Sequence, residues 1–118
     1  MLQVREHQQY HTKILTLEGE YTRHSTAGIQ ARILASQETD CHHIILDLSG
    51  VTEIDSTDLG ELFLWYQSMR SLLVQISIVK PQAHVRSHVD WAYVSEIVPI
   101  YESKLRPWKT SFSSQSRT

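Results

Sequence analysis

The 118-residue chain is long enough for one domain with its own core and too short for two. Its apolar fraction of 41% and charged fraction of 20% are ordinary for a soluble globular protein. A net charge of −2 argues against nucleic acid as the main partner, and the apolar runs are far shorter than the ~20 residues that span a bilayer, so no membrane insertion is expected. The first residues are too polar for a signal peptide and the single Cys41 allows no internal disulfide, so we expect an inert thiol and a cytoplasmic location.

The first forty residues predict a hairpin followed by a helix. Apolar and polar residues alternate on both sides of the polar stretch 8–11, and Gly19 ends the second predicted strand. Ser25 or Thr26 is a candidate cap for a helix that runs to about Gln37. Its inward-facing residues are predicted to be Ile29, Ile33 and Leu34.

The middle of the chain predicts a buried strand and an amphipathic helix. Residues 44–48 are nearly all apolar, as expected for a central strand. A helix over about 57–71 then places one apolar stripe at helical spacing. Its members are Leu59, Leu62, Phe63, Tyr66 and either Met69 or Arg70.

The last third predicts a strand at 74–79, a helix from Pro81 through His88 to Ala92, and a short strand at 97–101. The order ββαβαβαβ implies right-handed crossovers and a mixed, mostly parallel sheet flanked by helices, which is a single small α/β domain. We expect this domain to occupy residues 1–103. Residues 104–118 are basic and rich in Ser and Thr, which predicts a disordered tail.

Sequence signals for catalysis, metal binding and cofactor binding are weak. The chain has four glycines and neither GxGxxG nor GxxxxGK[ST], which argues against a nucleotide cofactor. His84 and His88 have helical spacing but no third ligand, and His42 and His43 point to opposite faces at the start of a strand. Ser56 lacks the glycine elbow of a hydrolase. We therefore predict no enzyme activity, no metal and no cofactor.

Ser56 lies between a predicted strand and a predicted helix, where two roles are open. Asp55, Ser56 or Thr57 can cap the helix by accepting a hydrogen bond from a free backbone N–H group. Alternatively, a hydroxyl presented at this position is a candidate phosphorylation switch. The local residues alone favour the cap, because such caps are common at the start of a helix.

Residues 45–62, ILDLSGVTEIDSTDLGEL, resemble the hallmark of the STAS domain as found in bacterial anti-sigma factor antagonists. That family shows an apolar strand, Asp-Leu-Ser-x-Val or similar, and then Asp-Ser-[Ser/Thr]-Gly-Leu-Gly-x-Leu. Gly19-Glu20 matches the upstream Gly-Glu of the family, and the order of elements agrees over about residues 3–102. The resemblance implies a STAS fold.

The resemblance also implies a partner-switching function in signal transduction and transcription regulation. By analogy, Ser56 is the serine that an anti-sigma factor kinase of the GHKL type phosphorylates, and a PPM-type serine phosphatase resets it. The unmodified domain, expected to be a monomer, binds the partner. The expected switch surface comprises Asp55, Thr57, Asp58, Gly60, Glu20 and Thr22.

Three features depart from the family pattern or add to it. Thr22 stands where the family often has an aspartate, and Asp58 replaces the usual glycine. Leu64 and Trp65 form a second apolar patch, which either packs under a neighbouring element or anchors a partner. A second hypothesis is therefore a constitutive STAS accessory subunit of a lipid-transport ABC assembly or a stress-signalling complex. A third is a metal or small-molecule sensor that uses the histidines.

Overall fold

The computed structural model describes residues 2–69, 72–81 and 85–102. Within these residues, strands and helices alternate after an initial hairpin. They are β1 (Gln3–Gln9), β2 (Thr12–Glu20), α1 (Arg23–Ser36), β3 (His43–Asp55), α2 (Ser56–Ser68), β4 (Gln75–Val79), β5 (Arg86–His88), α3 (Trp91–Val94) and β6 (Ile100–Tyr101). No helix in these ranges is long and apolar enough to cross a membrane.

The strands form one sheet in the order β1-β2-β3-β4-β6. Among the strands of the described ranges, the β1–β2 hairpin is antiparallel and the other pairs are parallel. The long strand β3 pairs with β4 over His43–Asp47 and with β5 over Glu53–Asp55. The predicted mixed, mostly parallel α/β domain is confirmed, with β3 at its centre.

One apolar core lies between the sheet and the helices α1 and α2. Strand residues at every second position face the helices, because successive side chains of a strand point to opposite sides. A charged side chain, Lys13, is also buried on this face; it donates to the Ser36 hydroxyl at 3.0 Å and pairs with Glu6 at 3.2 Å. The largest fully buried side chains include Leu15, Leu17, Ile29, Ile33, Ile44, Leu46, Leu48, Leu59, Leu62 and Phe63.

Strand β3 bends at the Leu-Ser-Gly segment before it reaches Asp55. The buried carboxylate of Asp47 accepts hydrogen bonds from the backbone N–H of Ser49 at 3.0 Å and from its hydroxyl at 2.6 Å. Opposite the bend, the register between β2 and β3 shifts after Thr16. A Cβ atom on Gly50 would lie 3.0 Å from the Leu17 carbonyl oxygen, so the close approach of the two strands requires glycine.

The first helix begins earlier than predicted. Thr22, and neither Ser25 nor Thr26, is the N-cap, because its side chain accepts a hydrogen bond from the N–H of His24 at 3.2 Å. The Ser25 hydroxyl accepts from the N–H of Thr22 at 3.1 Å, which completes a capping box. Ile29 and Ile33 are buried as predicted, but Leu34 is 40% exposed and does not face the core.

The predicted helix from Pro81 through Ala92 is wrong where it can be assessed. Arg86–His88 form β5, which gains backbone hydrogen bonds from the last residues of β3, and only Trp91–Val94 are helical. The predicted strand 97–101 is reduced to Ile100–Tyr101, because Ile97 and Val98 continue the turn after α3. His84, Arg70 and the predicted tail 104–118 lie outside the described residues.

Candidate functional site

The amino end of α2 is capped by the aspartate that precedes Ser56. Asp55 has extended backbone geometry, and its carboxylate accepts a hydrogen bond from the N–H of Thr57 at 2.8 Å. Asp58 lies in the first turn, where negative charge is favourable to the helix dipole. The cap therefore uses Asp55, and the hydroxyl of Ser56 is left for another role.

The hydroxyl of Ser56 connects α2 to the segment between β5 and α3. It donates a hydrogen bond to the His88 carbonyl oxygen and accepts one from the Asp90 N–H at 3.3 Å. Asp90 in turn caps α3 by accepting from the N–H of Tyr93 at 3.3 Å. Ser56 is nevertheless exposed, so its oxygen is accessible from solvent while it holds this segment in place.

An apolar groove of about 260 Å³ opens beside Ser56, between α2 and α3. On the α2 side it is lined by Ser56, Gly60 and Phe63, which follow one another at helical spacing. A Cβ atom on Gly60 would meet no atom within 4 Å, so the missing side chain leaves this wall of the groove open. The opposite wall comprises Val89, Asp90, Tyr93, Val94 and Ile97.

Hydrogen bonds fix the start of α1 against the start of α2. The Thr26 hydroxyl donates to the Asp58 carbonyl oxygen at 3.1 Å and is within 3.1 Å of the Tyr21 hydroxyl. Burial raises the pKa of Tyr21 to about 12, and the nearby charges of Asp58 and Glu61 act in the same direction. The Tyr21 phenol is therefore neutral at physiological pH and serves as a hydrogen-bonding partner.

Two residues of the predicted switch surface lie where β2 leads into α1: Glu20 is the last residue of β2, and Thr22 directly precedes α1. Glu20 lies opposite Glu53 in the sheet, and Glu53 lies opposite Arg86 on its other side. These residues lie two residues before the level of Asp55 along β3. Thr22 is engaged as the α1 cap, so in this chain it contributes a neutral hydroxyl where an aspartate would contribute charge.

Leu64 and Trp65 differ in their surroundings. Trp65 is half-buried and packs against the core. Leu64 is 58% exposed, and it follows Gly60 by four residues, which places it one turn further along the same side of α2. The structure therefore separates the pair: Trp65 packs inward, while Leu64 extends the exposed face that starts at Ser56.

The residues that Ser56 contacts were not among the predicted site residues. His88 and Asp90 belong to the predicted helix from Pro81 through Ala92, and within such a helix their backbone groups would be hydrogen-bonded to other turns of the helix and not to Ser56. The local signal that favours the observed structure is the Asp90-Trp91 step, an N-cap residue followed by a short apolar run.

The fold and the site together define a small α/β domain that presents an exposed serine beside an apolar groove. The model of the STAS domain family matches residues 2–104, and the chain belongs to this family. The family predicted from residues 45–62 is thus confirmed.

Similar proteins carry the names of regulators. The chain is 25% identical over 93 residues to an anti-sigma F factor antagonist of Paenibacillus polymyxa, with 78% of this chain and 80% of the relative covered. An anti-sigma factor antagonist from Mycobacterium paratuberculosis has a similar structure, with a TM-score of 0.70, 13% identity and 93% of each chain covered. The unphosphorylated form of the anti-sigma factor antagonist SpoIIAA has a TM-score of 0.64, with 15% identity and 96% and 98% covered.

Proposed function

We propose that this STAS domain is a phosphorylation-switched binding protein of the anti-sigma factor antagonist type, without enzyme activity of its own. Its unmodified form binds an anti-sigma factor of the GHKL kinase type, which phosphorylates Ser56, and a PPM-type phosphatase removes the phosphate. The observation that carries the proposal is the position of the Ser56 hydroxyl, which is exposed at the groove while Asp55 caps the helix.

Phosphorylation of Ser56 would change both the charge and the hydrogen bonding of this surface. A phosphate adds about −1.5 to −2 charge units at neutral pH, beside Asp55, Asp58 and Asp90. Esterification also removes the hydroxyl hydrogen that Ser56 donates to the His88 carbonyl. A partner that docks on the unmodified groove must then desolvate this charge and also meets a displaced α3. Both effects lower its affinity.

Intact-mass measurement tests the modification. The protein is incubated with ATP, Mg²⁺ and a GHKL-type kinase encoded beside its gene, and one phosphate is expected on the parent protein. Thr57→Ala is the matched control, because Thr57 is the adjacent exposed hydroxyl in the same turn. The expected result is phosphate gain in Thr57→Ala and none in Ser56→Ala; gain in Ser56→Ala would refute the assignment of Ser56.

Binding measurements test the switch itself. Ser56→Asp should weaken binding of the kinase much more than Ser56→Ala, since both variants lose the hydrogen bond to His88 but alanine adds no charge. Thr57→Asp places the same charge one residue away and is the control for general repulsion. Equal affinities of Ser56→Ala and Ser56→Asp would contradict a charge-based switch.

The second candidate function is a constitutive subunit of a lipid-transport ABC or stress-signalling assembly. The exposed Leu64 favours it, because an apolar side chain on the outer face of a helix is suited to a permanent interface. Purification of the chain with its native partners distinguishes the two candidates. Co-purification with a permease and an ATPase would support the subunit function. Co-purification with a GHKL-type kinase that dissociates on phosphorylation would support the switch function.

A further inference from the structure

Three side chains that commonly bind metal ions lie together at the amino end of β3. His11 belongs to the β1–β2 turn, Asp40 to the loop after α1, and His42 directly precedes β3. The Asp40 carboxylate contacts both imidazoles, with one oxygen 3.2 Å from His11 Nδ1 and the other 3.3 Å from His42 Nε2. His11 Nδ1 also lies 3.1 Å from the Asp40 carbonyl oxygen. All three potential ligand atoms lie within 4.8 Å of one another.

The backbone holds these residues in place independently of their side chains. The His11 carbonyl oxygen accepts hydrogen bonds from the N–H groups of His42 at 2.8 Å and His43 at 3.2 Å. The Gln8 side chain donates to the Thr39 carbonyl at 3.1 Å, which ties the hairpin to the same loop. The cluster therefore rests on a preorganised backbone, which lowers the entropic cost of binding a ligand.

The side chains present a consistent set of ligands. The imidazole rings of His11 and His42 are stacked, with centroids 4.5 Å apart and planes 10° apart, and each ring directs one nitrogen towards the same carboxylate. Two imidazoles and one carboxylate are ligands that suit zinc and copper, whereas calcium and magnesium prefer oxygen ligands alone. In a tetrahedral zinc site, neighbouring ligand atoms are about 3.4 Å apart. To bind one ion together, the two rings must leave their near-parallel stacking, because imidazole lone pairs lie in the ring planes; both side chains are exposed and have room to reorient.

We propose that His11, Asp40 and His42 bind a divalent transition metal ion of the zinc and copper class. Three protein ligands leave at least one coordination position for water or for a residue of another molecule. The bound ion would join the hairpin turn to the α1–β3 loop. The site lies at the opposite end of β3 from Ser56, so it does not depend on the proposed phosphorylation.

Calorimetric titration of the full chain with ZnCl2 tests the site. One zinc ion per chain is expected, and His11→Ala, His42→Ala and Asp40→Asn should each weaken binding at least about tenfold, since even outer-shell changes cost that much in metal sites. Asparagine is chosen at position 40 because the backbone there is left-handed, with φ of 54°, which asparagine tolerates. His24→Ala is the matched control, because His24 is an exposed histidine on α1 and should leave zinc affinity unchanged.

Electron paramagnetic resonance of the Cu²⁺-loaded chain identifies the ligands. Two imidazole nitrogens are expected for the parent protein and one for either single histidine variant. Under the alternative, Asp40 only forms exposed ion pairs with the two histidines; such pairs contribute little to stability, and no metal ion is bound. Absence of saturable Zn²⁺ binding by the parent protein, or unchanged zinc affinity in any one of the three variants, would overturn the proposal. Circular dichroism checks that each variant retains the fold.

Discussion

Replacement of Ser56 by alanine should loosen the segment from β5 to α3. The variant loses the hydrogen bond to the His88 carbonyl and the one from the Asp90 N–H. A protein hydrogen bond contributes about 0.5–1.5 kcal/mol net, and the exposed location favours the lower part of that range. Loss of both bonds should therefore destabilise the segment by about 1–2 kcal/mol.

Hydrogen exchange measures this effect residue by residue. A loss of 1–2 kcal/mol raises the population of the open segment by a factor of roughly 5–30, so the amides of residues 88–94 should exchange faster by that factor. Thr57→Ala is the control, since it removes a neighbouring hydroxyl and keeps both Ser56 hydrogen bonds. The proposed connection would be refuted if the exchange rates of residues 88–94 in Ser56→Ala stayed within about twofold of those in the Thr57→Ala control.

Three further predictions concern glycines and a half-buried histidine. Gly50→Ala should destabilise the fold by about 1–3 kcal/mol in denaturant unfolding, because the new Cβ would lie 3.0 Å from the Leu17 carbonyl oxygen. Gly60→Ala and Gly28→Ala should each stabilise the fold by about 0.5–1 kcal/mol, since both lie in helices with open space at Cβ, but only Gly60→Ala should also weaken partner binding. Burial lowers the pKa of His43, so the unfolded chain binds more protons and stability should fall as the pH drops below the unfolded value of about 6.5. In His43→Gln, the free energy of unfolding should depend less steeply on pH than in the parent protein, by up to about 1.4 kcal/mol per pH unit.

Local patterns were sufficient to predict most of the fold. Strand β2 and helix α2 follow from apolar periodicity, because each buries one regular face in the core, and the central strand follows from the apolar run 44–48, which is buried on both faces. Strand β5 was not predicted because its three residues form a strand only by pairing with the end of β3. Local sequence patterns carry no information about such long-range pairing. The cap of α1 was misplaced for a local reason: Thr22, Ser25 and Thr26 all carry hydroxyl groups, and Ser25 serves as the third helical residue of the capping box and not as the cap.

The candidate site was predictable in part. The motif around Ser56 located the serine and its acidic neighbours, but the groove depends on α3, which the sequence placed in a longer helix. The proximity of His11 to His42 could not be predicted from local sequence patterns either, since these residues meet where the parallel strands β2 and β3 begin side by side. In both places, long-range strand pairing brings together residues that local reasoning treats separately.

Comparison of three forms of residue 56 separates the two effects that phosphorylation would have. Alanine, aspartate and phosphoserine all lack the hydrogen that Ser56 donates to His88, so all three should loosen the β5–α3 segment. They differ in charge, from zero through −1 to about −1.5 to −2 for the phosphate. Because Asp55 already occupies the helix cap and Asp58 and Asp90 lie nearby, each added charge should displace the segment further. We therefore expect hydrogen exchange of residues 88–94 to become faster from alanine to aspartate to phosphoserine. Partner affinity should be lower for phosphoserine than for aspartate. Equal exchange in all three forms would show that loss of the hydrogen bond alone determines the response, and would contradict a role for repulsion.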